Sequence, residues 1–180
     1  DVIITNNYYV TPNILKREGI ESEFENLTRL AVTLAEESKQ EFPEVLIAGS
    51  FPPIETSFRP DLTPANELLD NYYSNLGSFI QQKVDLILCE TMGSIREGFN
   101  AAKNALKFSD RVWLSWTNKG ILGDILPSGE KLKDAVLAAN QLGVECQLVN
   151  CCAADLATKN IETLKKAKNF GVYANSAKLK

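Results

Sequence analysis

Histidine is absent from this 180-residue chain. That absence excludes Ser-His-Asp triads, Cys-His dyads and every histidine-containing metal site within it. Methionine occurs once, as Met92, and the first residue is Asp1, so the chain is expected to be processed or to be a piece of a longer one. No apolar run is long enough to span a membrane, and no secretory leader is visible. Positive charge is also scarce: 19 Lys and Arg stand against 23 Asp and Glu, a net charge of -4, with no dense basic run. Nucleic-acid binding is disfavoured on that ground. Lys165, Lys166, Lys168, Lys178 and Lys180 read as a solvated helix face and a tail. Cysteine is limited to Cys89, Cys146, Cys151 and Cys152, with no C-x-x-C spacing. The adjacent pair rarely bridges, because the ring would strain the peptide. Such sparse thiols suit a reducing, cytoplasmic setting.

What is present is an ordinary globular mixture, 44% hydrophobic and 23% charged. Its length suffices for a single domain over residues 1–180 with a sizeable core. Six short apolar runs recur, at 2–10, 44–51, 84–91, 111–117, 145–151 and 169–176, each separated from the next by a helical stretch. Runs that are apolar on both faces suit parallel strands buried on two sides. Helix starts are marked by Ser22 with Glu25, by Thr63 before Pro64, and by Ser94 with Glu97. Further helices are expected over 129–142 and 154–168, the first ended by Gly143.

Alternation of this kind means an α/β fold with a parallel sheet, either an open doubly wound sheet or a (β/α)8 barrel. No G-x-G-x-x-G follows the first strand, so a dinucleotide site has no support. Polar residues gather instead at several strand ends: Thr5-Asn6-Asn7, Ser50, Glu90-Thr91, Ser115–Thr117, Asn150-Cys151 and Asn175-Ser176. A barrel active site needs that distribution, because its loops converge on one face. Since a barrel typically runs to about 250 residues, the expectation is a partial TIM barrel with about six of its eight β/α units.

Period-two alternation puts Leu86, Leu88 and Glu90 on one face of their strand, and Ile87 and Cys89 on the other. It likewise groups Gln147, Val149 and Cys151 against Leu148, Asn150 and Cys152. The faces bearing Glu90 and Cys151 are expected to line the interior, with Cys89, Cys146 and Cys152 looking outward. A carboxylate after LILC is costly to bury unpaired. Glu90 is therefore a functional group, an ion-pair partner of Arg96, or an acceptor for the amides of the next helix. Cys151 is a small buried residue, a nucleophile or a metal ligand. Ser115 and Thr117 read as satisfying strand-end backbone groups, and Tyr8 and Tyr9 as packing residues, one of which could face the site. The loop FPPIETSFRPDL either positions a ligand or merely connects. A Schiff-base enzyme would need a lysine at a strand end, and none of the six runs ends in one.

Taken in order, the blocks IITNNYYVTP, IAGSFPPIETSFRPDL, DLILCETMGSIREGFNAA, WLSWT, LVNC and VYANS resemble the homocysteine S-methyltransferase family. The resemblance implies a (β/α)8 barrel carrying a zinc ion (Zn2+) held by three cysteines at the C-terminal ends of its strands. One ligand lies in an Asn-Cys motif, matched by Asn150-Cys151. The other two form a Gly-Gly-Cys-Cys motif that this chain lacks, and Cys152 has no matching role. Glu90 matches the family's E-T motif, whose glutamate binds the amino group of homocysteine; Thr91, Ser50 and Asn150 complete the implied substrate-binding set. Departures occur at Leu148, Asn7 and Ala174, where the family has Gly, Thr and Pro. The first strand, with its Asp-Gly motif, and the last unit are expected to be missing.

The implied activity is methyl transfer to the zinc-activated thiol of homocysteine, giving methionine. A sulfonium donor such as S-methylmethionine or S-adenosylmethionine is preferred, with betaine and a methylated corrinoid as alternatives. As it stands the chain is expected to be inactive. An alternative of another class is a catalytically inactive barrel fragment that acts as a binding or assembly module through open sheet edges.

Overall fold

Each of the six apolar runs contains a strand, the first far shorter than its run because residues 5–10 turn away from the sheet: β1 (Val2–Ile4), β2 (Leu46–Phe51), β3 (Leu86–Met92), β4 (Val112–Thr117), β5 (Cys146–Ala153) and β6 (Phe170–Asn175). The structure is a computed structural model that describes residues 1–119 and 123–176. Strand order follows chain order, β1 to β6, and every pairing is parallel. Each crossover therefore steps one place in the same direction, and a right-handed crossover leaves every connecting helix on one side. Sheet twist curls the six strands into a half-barrel, with helices on the convex side and an open concave side.

The helices are α1 (Pro12–Arg17), α2 (Phe24–Lys39), α3 (Asn66–Ile80), α4 (Ile95–Ala105), α5 (Leu132–Leu142), α6 (Ala154–Lys159) and α7 (Ile161–Leu164). Among the described residues, no helix is long and apolar enough to cross a membrane. Strand alternation divides the apolar residues into two clusters. Ile87, Cys89, Leu114, Trp116 and Val149 pack under the helices with Tyr73, Leu76, Ile80 and Val136. Leu86, Leu88, Ala48, Cys146 and Leu148 form a smaller cluster on the concave side. Burying each large apolar side chain contributes about 1.5–3 kcal/mol, so the convex layer dominates stability.

The helix-start signals fare unevenly. Ser94 caps α4 by accepting from the Glu97 amide, and Gly143 closes α5 in the left-handed conformation at φ +76°. Ser22 lies inside a 3-10 turn, Glu21–Glu23, that runs straight into α2, whose N-cap is Glu23 without a side-chain bond. Because that turn already supplies the first helical winding, no hydroxyl cap is needed. Thr63 does not cap α3 either, since Ala65 holds that place. Its hydroxyl instead donates to the buried Glu97 carboxylate at 3.0 Å. The expected helix over 154–168 breaks at Asn160, whose side chain donates to the Gly123 carbonyl at 2.7 Å. Helix α1 had no separate expectation, although Thr11 caps it and Pro12 opens it.

Candidate active site

Two strand ends break the alternation of their strands. Thr91 and Cys151 have φ of +59° and +51°, in the left-handed region that non-glycine residues rarely adopt. Both coincide with register shifts, at Cys89/Met92 between β3 and β4 and at Asn150/Ala153 between β5 and β6. A bulge of this sort re-aims a side chain at a strand end, at a cost of about 1–3 kcal/mol per strained residue. Glu90 follows Leu86 and Leu88 onto the concave face, and Thr91 joins it there. Asn150 follows Cys146 and Leu148 onto that face, and Cys151 joins it.

This corrects the face assignment of β5. Gln147 and Val149 point to the convex side. Gln147 donates there to the Val136 carbonyl at 3.0 Å and the Asn140 side chain at 2.8 Å, and accepts from the Trp116 indole at 3.1 Å. Cys146 is concave rather than outward, whereas Cys89 and Cys152 lie in the convex cluster as expected. Cys151 reaches the interior through its left-handed backbone, not through alternation.

The concave strand ends share one hydrogen-bond network. Ser115 Oγ donates to Asn150 Oδ1 at 2.7 Å. Asn150 Nδ2 donates to Thr91 Oγ1 at 2.7 Å and to Cys151 Sγ at 3.4 Å. Thr91 Oγ1 lies 3.7 Å from the same sulfur, as a second donor. The partly exposed Cys151 sulfur is thereby held as an acceptor by β3 and β5 together. Neither the Ser115 nor the Thr117 hydroxyl satisfies a strand-end backbone group as expected: Ser115 Oγ instead fixes the flip of the Asn150 amide, and Thr117 Oγ1 is buried without a hydrogen-bond partner.

Glu90 is buried and accepts from the Ser50 hydroxyl. Burial pushes its carboxyl above the usual glutamate range, and the Ser50 bond partly offsets this. Neither structural alternative for Glu90 holds. Arg96 is engaged by the Pro64 and Thr63 carbonyls and by Asn66. At the start of α4, the Ile95 amide donates to Glu130 and the Glu97 amide to Ser94. Among the described residues, no basic side chain pairs with Glu90.

The loop after β1 braces Ser50. Thr5 Oγ1 accepts from the Ser50 amide at 2.9 Å and donates to Asn7 Oδ1 at 2.6 Å, while Asn7 Nδ2 donates to the Ser50 carbonyl at 3.1 Å. Tyr8 and Ser57 share a hydrogen bond of 2.5 Å between their hydroxyls. Burial raises the Tyr8 phenol pKa, with Cys151 and Glu90 adding to the rise. The FPPIETSFRPDL loop thus reaches the site through Ser57. It does so because residue 93 is glycine: a Cβ there would lie 2.2 Å from the Ser57 carbonyl oxygen. Tyr173, in register with Asn150, has a buried hydroxyl whose pKa burial raises, with Glu90 adding to the rise and the neighbouring Ser115 hydroxyl opposing it. Ser57 and Tyr173 escaped the sequence reading, since only the loop path and the strand register bring them in.

The chemistry on offer is a carboxylate, a thiol and several hydroxyls at the strand ends of one face. Among the described residues, no group of three His, Cys, Asp or Glu is placed to hold a metal ion. Cys151 fits one position of a thiolate site. Cys89 and Cys152 are buried on the other side of the sheet, and Cys146 is buried deeper on the concave side.

The family model for homocysteine S-methyltransferase matches residues 1–180. The metallated form of the homocysteine methyltransferase MmuM from Escherichia coli superposes with a TM-score of 0.84 at 25% identity, over 98% of this chain and 67% of that one. Its oxidised form gives 0.81 at 24% identity, over 97% and 66%. The chain thus spans about two thirds of the length of that enzyme. A search of curated protein sequences finds no match.

Proposed function

The chain belongs to the homocysteine S-methyltransferase family, and from that premise we propose that its concave site binds homocysteine for methyl transfer from a sulfonium donor, giving methionine. Glu90 takes the substrate ammonium, a charge-assisted contact suited to a buried carboxylate with no basic partner. Ser50 orients that carboxylate. Asn150 and Thr91 aim the Cys151 sulfur, which would hold one position of a zinc ion. Zinc, when bound, supplies the Lewis acidity that keeps a substrate thiol ionised near neutral pH. The substrate sulfur then forms its bond to the methyl carbon as the donor's S–C bond breaks, the electron pair staying on the departing sulfide. Acidic and neutral side chains at these strand ends favour a cationic donor such as S-methylmethionine or S-adenosylmethionine. The free thiols support a cytoplasmic setting.

The observation that carries this reading is the pair of left-handed strand ends, which bring Glu90–Thr91 and Asn150–Cys151 onto one face. With Cys151 the single thiol at the concave strand tips among the described residues, the chain is expected to bind homocysteine but not to turn it over. Calorimetry with homocysteine on the wild type and Glu90→Gln, paired with an assay for methionine formation, tests both points. Saturable binding lost in the variant, without efficient turnover, is the expected result. Efficient methyl transfer by this chain alone would overturn the single-donor claim.

A second reading has its own support in the sheet edges. Val2 and Ile4 on β1, and Phe170 and Val172 on β6, are exposed on the two edge strands. Should homocysteine fail to bind, an assembly module working through those edges becomes the better account.

A further inference from the structure

The chemistry at the strand ends leaves one buried carboxylate without a task. Glu97, in the first turn of α4, is buried and forms no ion pair among the described residues. Its sequence neighbour Arg96 turns its guanidinium to the Thr63 and Pro64 carbonyls and to Asn66. A carboxylate held in this way is costly, and burial pushes its pKa above the usual glutamate range. Both groups bonded to it are donors. The Ile54 amide donates to Oε1 and the Thr63 hydroxyl to Oε2, each at 3.0 Å. An ionised carboxylate is the acceptor-only side chain that satisfies both.

Those two donors bracket one loop. Ile54 stands where the chain leaves β2, and Thr63 where it approaches α3, so the two carboxylate oxygens close the segment 54–63 at its base. The approach to that segment is fixed by the Tyr72 and Tyr73 hydroxyls, which donate to the Pro52 carbonyl at 3.4 and 3.2 Å. Its middle meets the site through Ser57, whose hydroxyl pairs with that of Tyr8 at 2.5 Å and whose carbonyl packs against Gly93. Burial raises the Tyr8 phenol pKa, hydrogen bonding from Ser57 and Thr91 opposes the rise, and the charges of Cys151 and Glu90 add to it. The phenol therefore joins the clasped loop to the network at the tips of β3 and β5.

We propose that Glu97 is a positioning residue that clasps both ends of the 54–63 loop and thereby sets where Ser57 holds the Tyr8 hydroxyl beside Thr91. The clasp concerns the loop alone, whereas its effect on ligand affinity rests on the homocysteine reading above.

The test compares hydrogen–deuterium exchange and homocysteine titration in the wild type, Glu97→Ala and the near-isosteric Thr63→Val, which deletes one bond of the clasp and keeps the carboxylate. Local opening of a loop shows in exchange without global unfolding. Expected for Thr63→Val is exchange about tenfold faster or more within 54–63, from loss of a bond to a charged group, with the amides of α3 and β3 unchanged. Glu97→Ala removes both bonds and should open the loop further. Homocysteine affinity should fall about threefold or more in Thr63→Val. In a Tyr8→Phe background the same substitution should lower it no further, because the loop then has no phenol to place. Unchanged loop exchange in Thr63→Val, or exchange equally faster in loop and core, would overturn the clasp. Affinity losses that add to those of Tyr8→Phe would overturn the route through Tyr8, since independent sites are additive. A wild type that fails to bind homocysteine would sink the functional reading, and the exchange comparison would still decide the clasp.

Discussion

On the convex face of the sheet, Ile87, Leu114, Trp116 and Val149 are fully buried beneath helices and obey strict alternation. On the concave face, Glu90, Thr91, Asn150 and Cys151 gather where alternation fails, and their polar groups bond across β2 to β5. The same strands thus serve two ends. Regular backbone facing the helices supplies stability, while strained backbone at the strand tips supplies chemistry. Separating these roles lets the tips carry cost that the convex layer offsets.

Damage confined to the convex layer should cost the most stability and the least function. Trp116→Ala removes a fully buried indole that packs against Gly98, where a Cβ would lie 2.5 Å from the ring, and deletes its bond to Gln147. Denaturant unfolding should show a loss of about 3–5 kcal/mol, with homocysteine affinity retained in whatever fraction stays folded. A concave substitution should cost less stability and more function. Asn150→Ala leaves the Ser115 hydroxyl without its acceptor and the Cys151 sulfur without one donor, for roughly 1–3 kcal/mol and a lost site.

Cys151→Gly tests the strain itself. Glycine adopts positive φ without steric cost, so this variant should be as stable as the wild type or more stable by about 1 kcal/mol. Its thiol is gone, so the thiolate-to-cobalt charge-transfer band expected when Co2+ is added to the wild type should be absent. A clear destabilisation by unfolding measurements would mean that the sulfur's hydrogen bonds, rather than its chemistry, justify the strained backbone.

The same contrast explains what was legible in the sequence. All six strands and the larger helices follow from apolar periodicity, because periodicity reports regular backbone packed against a large cluster. Glu90 was readable for the same reason, since β3 is regular up to it. The β5 faces were misread because Cys151 was assumed to follow the alternation, which made Gln147 and Val149 its companions. In fact the left-handed residue breaks the pattern, and Asn150 shares the concave face with Leu148. Nothing local in VNCC announces positive φ. Ser57 and Tyr173 reach the site through a loop path and a register that only tertiary structure sets.

The smallest expected effect concerns acid. Glu90 and Glu97 both have carboxyl pKa values raised by burial above the ordinary 4.5. Between that value and the raised one, the folded chain holds protons that the unfolded chain has released. The unfolded state then binds fewer protons, so stability must fall as pH rises through this window. Asp85, lowered by the Ile47 amide and Lys39, acts the other way and loses its contribution below its ordinary 3.8. Glu90→Gln should therefore flatten the decline above 4.5 only in part, the remainder belonging to Glu97 on the convex side. Homocysteine binding should show the opposite trend, strengthening as Glu90 ionises. Unfolding and titration across the same pH series would separate the two faces. If the binding profile followed Glu97→Gln instead, the carboxylate beneath the loop, not the one at the tip of β3, would govern the site.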